Sequence, residues 1–291
     1  MIKFLLNDNV LDKIKVIRDE IPKDMVSIFD TNFRTLSINS EISFNYFALG
    51  FREIINRTIA TEIDMNDLKQ REWFPHYFTH QEDENKVSTK QKLLYMSIKK
   101  HSADFIFKLY PQIYNRIEDL YTIVQKLNKY VHLKILIEEE QFKTELENII
   151  IVFGNFFETL NSIKKYIEEL IVVTQEGIRD SVMHETIQSF DEIATGYSDF
   201  ELEIENIIIS GLLEENNDLL KVQVMCFGTA YATLQYGSNA DQRRGDGVTM
   251  PINFPLESEV HVTISNSDSN LEIVDVEVEQ FNVDNESWYE E

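Results

Sequence analysis

The chain has one cysteine, Cys226, among its 291 residues. A single thiol excludes an internal disulfide framework and a zinc site built from cysteines. It fits a reducing, cytoplasmic setting. Basic side chains are also scarce: 27 lysines and arginines stand against 51 acids, a net charge of −24. A surface of that sign repels a phosphate backbone, so broad coating of nucleic acid is not expected, while a local basic cleft stays open. No apolar run approaches the roughly 20 residues needed to span a bilayer, and no membrane partner is expected. Met1-Ile2-Lys3-Phe4-Leu5-Leu6 passes at once to Asn7-Asp8-Asn9, so no signal-peptide core is expected either.

What is present describes a folded protein. Hydrophobic residues make up 43% and charged residues 27%, which suits an ordinary packed core. The length allows one large core or two modest ones. Apolar residues recur at helical spacing up to about Gly196 and alternate after it. The expected fold class is therefore α+β. An α-helical bundle over residues 1–190 precedes an acidic, antiparallel β domain over 196–291, of small sandwich or open-barrel type.

Within the first part, Leu5, Leu6, Val10, Leu11, Ile14 and Ile17 are expected to line one side of a short helix that Pro22 ends. A second helix is predicted from Asp24 to about Leu36. The clearest early helix runs from Ser40 to about Thr61, with Phe44, Phe47, Ala48, Phe51, Ile54, Ile55 and Ile59 as its apolar stripe. Arg52 and Glu53 sit beside that stripe. They form either a solvated edge, with Glu53 pairing to Arg57 one turn on, or a charged pair projecting into a cleft. The aromatic loop Trp73-Phe74-Pro75-His76-Tyr77-Phe78 is expected either to plug the core, the preferred reading, or to form an exposed contact surface. His76 and His80 are four apart, but Pro75 breaks the helix that would align them, so no metal site is expected there.

Ser88-Thr89-Lys90-Gln91 reads as a capping box. The helix it starts carries Leu94, Ile98, Phe105 and Leu109 and stops before Pro111. Pro111 opens a central helix with Ile113, Ile117, Leu120, Tyr121, Val124 and Leu127 on its buried side. The longest periodic stretch runs from Glu138 to about Val173. Gly177 is expected to break it, with a further amphipathic piece extending to Phe190.

In the second part, strands are predicted over Phe200 to Glu205, Leu220 to Phe227, Thr229 to Tyr236, Val260 to Ser265, and Leu271 to about Val283. Gly228 would join the middle pair as a bulge or bend. From Gly196 on there are twenty acidic residues and three basic ones, so this part carries −17 of the −24. The loop from Gln235 to Gly247 holds Asn239, Asp241, Arg243, Arg244 and Asp246. Its length points to a ligand-binding loop or to one salt-bridged within itself. Arg243 breaks a calcium-loop pattern, and no phosphate loop fits. Neither a metal nor a cofactor is expected anywhere in the chain.

The best chemical candidate closes the central helix: Lys126-Leu127-Asn128-Lys129-Tyr130-Val131-His132. An imidazole titrates near working pH and can move a proton. The same histidine could instead bond a backbone carbonyl at the helix end and pack on Tyr130 or Phe142. The arrangement resembles the HEPN-type helical domains, which include metal-independent ribonucleases and inactive relatives. Their motif is an arginine, often a polar residue next, four to six residues, then histidine. Lys126 stands in the arginine's place, with five residues before His132. A lysine does only part of what an arginine fork does.

The layout as a whole resembles the bacterial predicted pPIWI-associating nucleases of conflict systems. The resemblance lies in Phe51-Arg52-Glu53-Ile54-Ile55, Leu127 to His132, Tyr236 to Gly247, Phe254-Pro255 and Glu286-Ser287-Trp288-Tyr289-Glu290. It implies a role in defence against phage or other invading elements. A ribonuclease of the HEPN kind would use His132 as acid or base, with Lys126 and Arg52 stabilising phosphate charge and Asn128 orienting phosphate or imidazole. Such domains work as facing pairs, which implies a homodimer acting on RNA in a local cleft. Two rivals carry no catalysis. One is a sensor or adaptor whose acidic β domain docks another defence-system protein. The other is an acidic mimic of nucleic acid that blocks a DNA-binding enzyme.

Overall fold

The computed structural model describes residues 6–36, 42–74, 76–78, 86–132, 137, 139–189, 197–216, 219–236, 239–245, 247–265 and 272–284. They form a helical region followed by four antiparallel strands, the α+β order that the change of periodicity predicts. The chain divides into two compact units, Met1–Lys164 and Lys165–Glu291.

The first unit is built from α1 (Asp8–Glu20), α2 (Val26–Thr35), α3 (Ser43–Glu62), α4 (Met65–Gln70), α5 (Thr89–Ile98), α6 (Ala103–Leu109), α7 (Gln112–Val131) and the start of α8 (Glu139–Ser189). Asn7 caps α1 by accepting from the Val10 amide at 3.0 Å, which satisfies one orphan donor of the first turn. The stripe predicted on α3 is the one that is buried, and α3 packs between α2 and α7. Its aromatic residues centre the core. Phe51 is fully buried, with ring centroids 6.1 Å from Phe29, 5.2 Å from Phe47 and 5.5 Å from Phe153. Phe44 stands edge-on to Tyr130 of α7 and Phe142 of α8, each at 5.0 Å. Trp73 is buried, as a plug would be. Arg57 pairs with Asp24 at 3.5 Å and not with Glu53.

The capping box at Ser88 and Gln91 forms in both directions. The helix it opens does not reach Pro111, however. It stops at Ile98, Lys99 takes a positive φ of 49°, and the Ser102 hydroxyl caps α6. His101 lies in this break and is buried. Burial, together with the nearby Lys100 and Arg71 charges, pushes its pKa down to about 4. An unfolded histidine titrates near 6.5, so the unfolded chain takes up this proton first as pH falls. Stability from this group is complete above pH 6.5 and drains away between there and about pH 4, by an amount on the order of 3 kcal/mol. Urea midpoints measured across that window should be markedly less pH-dependent in His101→Gln.

The second unit holds the rest of α8 and a meander of β1 (Tyr197–Asn216), β2 (Leu219–Tyr236), β3 (Val248–Ser265) and β4 (Glu272–Val283), with a short α9 (Asn239–Arg244) between β2 and β3. Among the described residues the strands make one sheet, where the alternation suggested a sandwich or barrel. Gly177 does not break α8. A Cβ there would stand 2.5 Å from Val276 of β4, while Gln175 donates to the Leu202 carbonyl of β1 at 3.2 Å. One turn of α8 thus meets both edge strands, and the glycine is needed for close approach rather than for a break.

Gly228 joins nothing; it lies inside a continuous β2. It pairs with Ile204 where the β1 register shifts, and a Cβ there would come 2.0 Å from the Glu203 carbonyl oxygen. Backbone cannot yield as a side chain can, so Gly228→Ala should cost about 1–3 kcal/mol, read as a lower thermal midpoint.

β3 begins well before the strand expected at Val260 and runs through Pro251 and Pro255. The Pro255 carbonyl accepts from Asp284 at 2.9 Å, so both prolines turn their missing N–H toward the side of β4, whose pairing begins only at Leu256. Proline is tolerated in a strand where its missing N–H has no ladder partner to lose, as holds for both prolines among the described residues.

One face of the sheet is dry: Leu220, Val222, Val224 and Cys226 of β2 face inward with Leu256, Val260, Val262 and Ile264 of β3. Burial pushes the Cys226 thiol up to about 12, which makes it inert.

Candidate active site

The sequence-predicted residues of the helical unit lie where α3 crosses α7. Asn45 fixes the crossing by donating from its buried amide to the Tyr130 carbonyl at 2.7 Å. This bond holds one carbonyl of the last turn of α7, a group that helix geometry leaves unpaired. Arg52, two turns further along α3, brings Nη1 to 3.5 Å from Asn128 Oδ1. Helical side chains lean toward the N-terminus, which lets Arg52 reach back to the end of α7.

The guanidinium is half-buried, and its Nε is shielded from water with no hydrogen-bond partner. Its one bond to Asn128 is at the long limit. A partly desolvated guanidinium with donors to spare is suited to an oxyanion, above all to a phosphate that accepts two parallel bonds.

His132 caps α7, with its amide bonded to the Asn128 carbonyl at 3.2 Å. Its side chain is exposed. It stands one turn beyond Asn128, on the same side of the helix. The packed helix-end alternative, a ring against Tyr130 or Phe142, does not fit an exposed imidazole.

Lys126 goes elsewhere. It lies two residues before Asn128 and so points to another face, where it pairs with Glu145 of α8 at 3.3 Å. Tyr130, one turn on, shares that carboxylate; burial first and Glu145 second push its phenol up to about 12. Glu53 is exposed. The structure therefore brings Arg52 to Asn128, one turn before His132, and leaves Lys126 in a separate pair. Asn45 and Glu145, which position this junction, carry no sequence signal beyond being polar residues next to apolar stripes.

In the loop between β2 and β3, Asn239 and Asp241 belong to α9, and Arg243 and Arg244 are exposed in its last turn. Gly245, with φ of 81°, ends that helix in the left-handed conformation. Asp246, like His80, lies outside the described residues, so the ion pairs expected within the loop do too. No helix of the described residues is long and apolar enough to cross a membrane.

Fold and site together define a two-part α+β protein whose helical unit presents an arginine, an asparagine and an exposed histidine at a helix crossing. Two family models, each described as "Predicted pPIWI-associating nuclease", match the chain over residues 18–160 and 159–289. The chain belongs to the predicted pPIWI-associating nucleases. No curated protein and no solved structure matches it.

Proposed function

We propose that this chain is a bacterial defence effector that cleaves RNA without a metal ion, at the crossing of α3 and α7. The observation that supports this best is the half-buried Arg52 guanidinium, whose Nε has no hydrogen-bond partner among the described residues and whose Nη1 reaches Asn128, the residue one helical turn before the exposed His132. Arg52 would fork onto the scissile phosphate, taking the place of the motif arginine that Lys126 does not supply. Asn128 would hold that fork. His132 would take the proton of the 2′-hydroxyl as its oxygen attacks phosphorus. The bond to the 5′ oxygen breaks, and that oxygen receives a proton, leaving a cyclic phosphate and a free hydroxyl. A facing second copy would supply the second imidazole, which makes a homodimer the working form.

The test is single-stranded RNA incubated with purified protein in EDTA, wild type beside His132→Ala. Cleavage by wild type alone supports the reading; no cleavage, or equal cleavage by both, sinks it.

The sensor or adaptor reading is favoured by a different observation, the acids on the wet face of the sheet, including Glu257, Glu259, Glu277 and Glu279. A chain that cleaves nothing yet binds a basic protein partner in a salt-sensitive way would favour it.

A further inference from the structure

On the wet face of the sheet, His261 of β3 lies beside Glu277 and Glu279 of β4. One donor atom from each of the three lies within 4.8 Å of the others. Glu277 is directly across from His261. Glu279 reaches the same face through a register shift: Glu259 pairs with Gln280 and Val260 with Val278, so Glu279 is the extra residue of a bulge. Bulges re-aim side chains in this way.

The imidazole is the telling member. Its Nδ1 is shielded from water and has no hydrogen-bond partner, although Glu279 Oε1 is only 3.0 Å away. A hidden ring nitrogen without a hydrogen bond is costly, and the Glu279 carboxylate offsets this only when the ring carries a proton. A cation between the two would offset it for the neutral ring.

The surroundings fit that role. His261 Nε2 faces Glu259 Oε1 at 3.7 Å, and Gln223 holds the same oxygen at 2.5 Å. A carboxylate behind the ligating ring is the usual support of a metal-bound histidine. Lys221 takes Glu277 Oε2 at 2.6 Å, which leaves Oε1 for another partner. With a neutral ring, the three carboxylates and this lysine sum to −2, which matches a divalent ion.

We infer that His261, Glu277 and Glu279 bind a divalent transition-metal cation of the zinc class, with Glu259 positioning the ring. One nitrogen and two oxygens suit zinc, whose donors lie about 2.0–2.2 Å from the ion, and three protein ligands leave a fourth position for water. Rotation of the exposed Glu277 and Glu279 side chains closes the set. The sequence points to no metal here, since His261 and the two acids lie on different strands and come together only through the register. This inference is independent of the ribonuclease reading, which needs no metal.

The experiment uses the full chain, stripped with chelator and titrated with zinc chloride by calorimetry, beside His261→Gln, Glu279→Gln and Glu259→Gln. One equivalent per chain is expected. Affinity should fall at least about 10-fold in the first two variants and about 10- to 100-fold in the third. Zinc should raise the thermal midpoint of wild type but not of His261→Gln. If His261→Gln fails to fold, Glu279→Gln decides, since its side chain is half exposed. Absence of a stoichiometric site, or a site of equal affinity in the variants, overturns the inference.

Discussion

His132→Ala should lower RNA cleavage by about 10²- to 10⁴-fold, the range that positioned acid–base groups supply. The ring is exposed at the end of α7, so its loss should leave the thermal midpoint within about 1 °C, in line with the small cost of surface changes. Arg52→Ala should fall by a similar factor, and Arg52→Lys should recover only part of it, because an ammonium cannot make two parallel bonds to phosphate. Asn128→Ala should cost less, since Asn128 acts on the guanidinium and not on the substrate. Single-turnover rates in EDTA check all four. A variant order in which Lys126→Ala hurts more than Arg52→Ala would show that the motif residue acts after all, despite its pairing with Glu145.

Phe51→Ala should destabilise the helical unit by about 3–5 kcal/mol. The side chain is fully buried and touches aromatic rings from α2, α3 and α8, so the hole it leaves is bordered by large rings that cannot collapse into it. Urea unfolding followed by helical circular dichroism measures the loss. A cost under about 1 kcal/mol would mean that these rings do not form a shared core. The neighbour of Phe51 is Arg52, so the two variants separate folding from chemistry: Arg52→Ala should leave the urea midpoint near wild type while removing activity.

Much of the layout was legible in the chain. The 3.6-residue stripes of α3 and α7 named their buried sides because one face must leave water. The capping box at Ser88 named a helix start because its two bonds are local. Local chemistry also marked the end that was missed: Ser102 is an N-cap residue, and it closes a break inside a stretch whose apolar spacing seemed continuous. Gly177 misled for a different reason: it reads as a break, yet it is required by the approach of Val276. Gly228 does mark a bulge in the pairing, but inside β2 and not between two strands, where the Glu203 carbonyl leaves no room for a Cβ.

The candidate site divides along the same line. That Asn128 stands one turn before His132 followed from spacing alone, whereas Lys126 was turned from the site by its pairing with Glu145 of α8. That Arg52, 76 positions before Asn128, reaches that turn depends on how α3 crosses α7. His261 met Glu277 and Glu279 only through a strand register and its bulge. Sequence by itself determined what repeats over a few residues: the helical half, the alternating half, the charge of each and the ends of several elements. Tertiary structure alone decided which distant polar groups meet and which glycines are spacers. Periodicity is written in neighbouring residues, whereas contact across elements is set by packing that no single stretch contains.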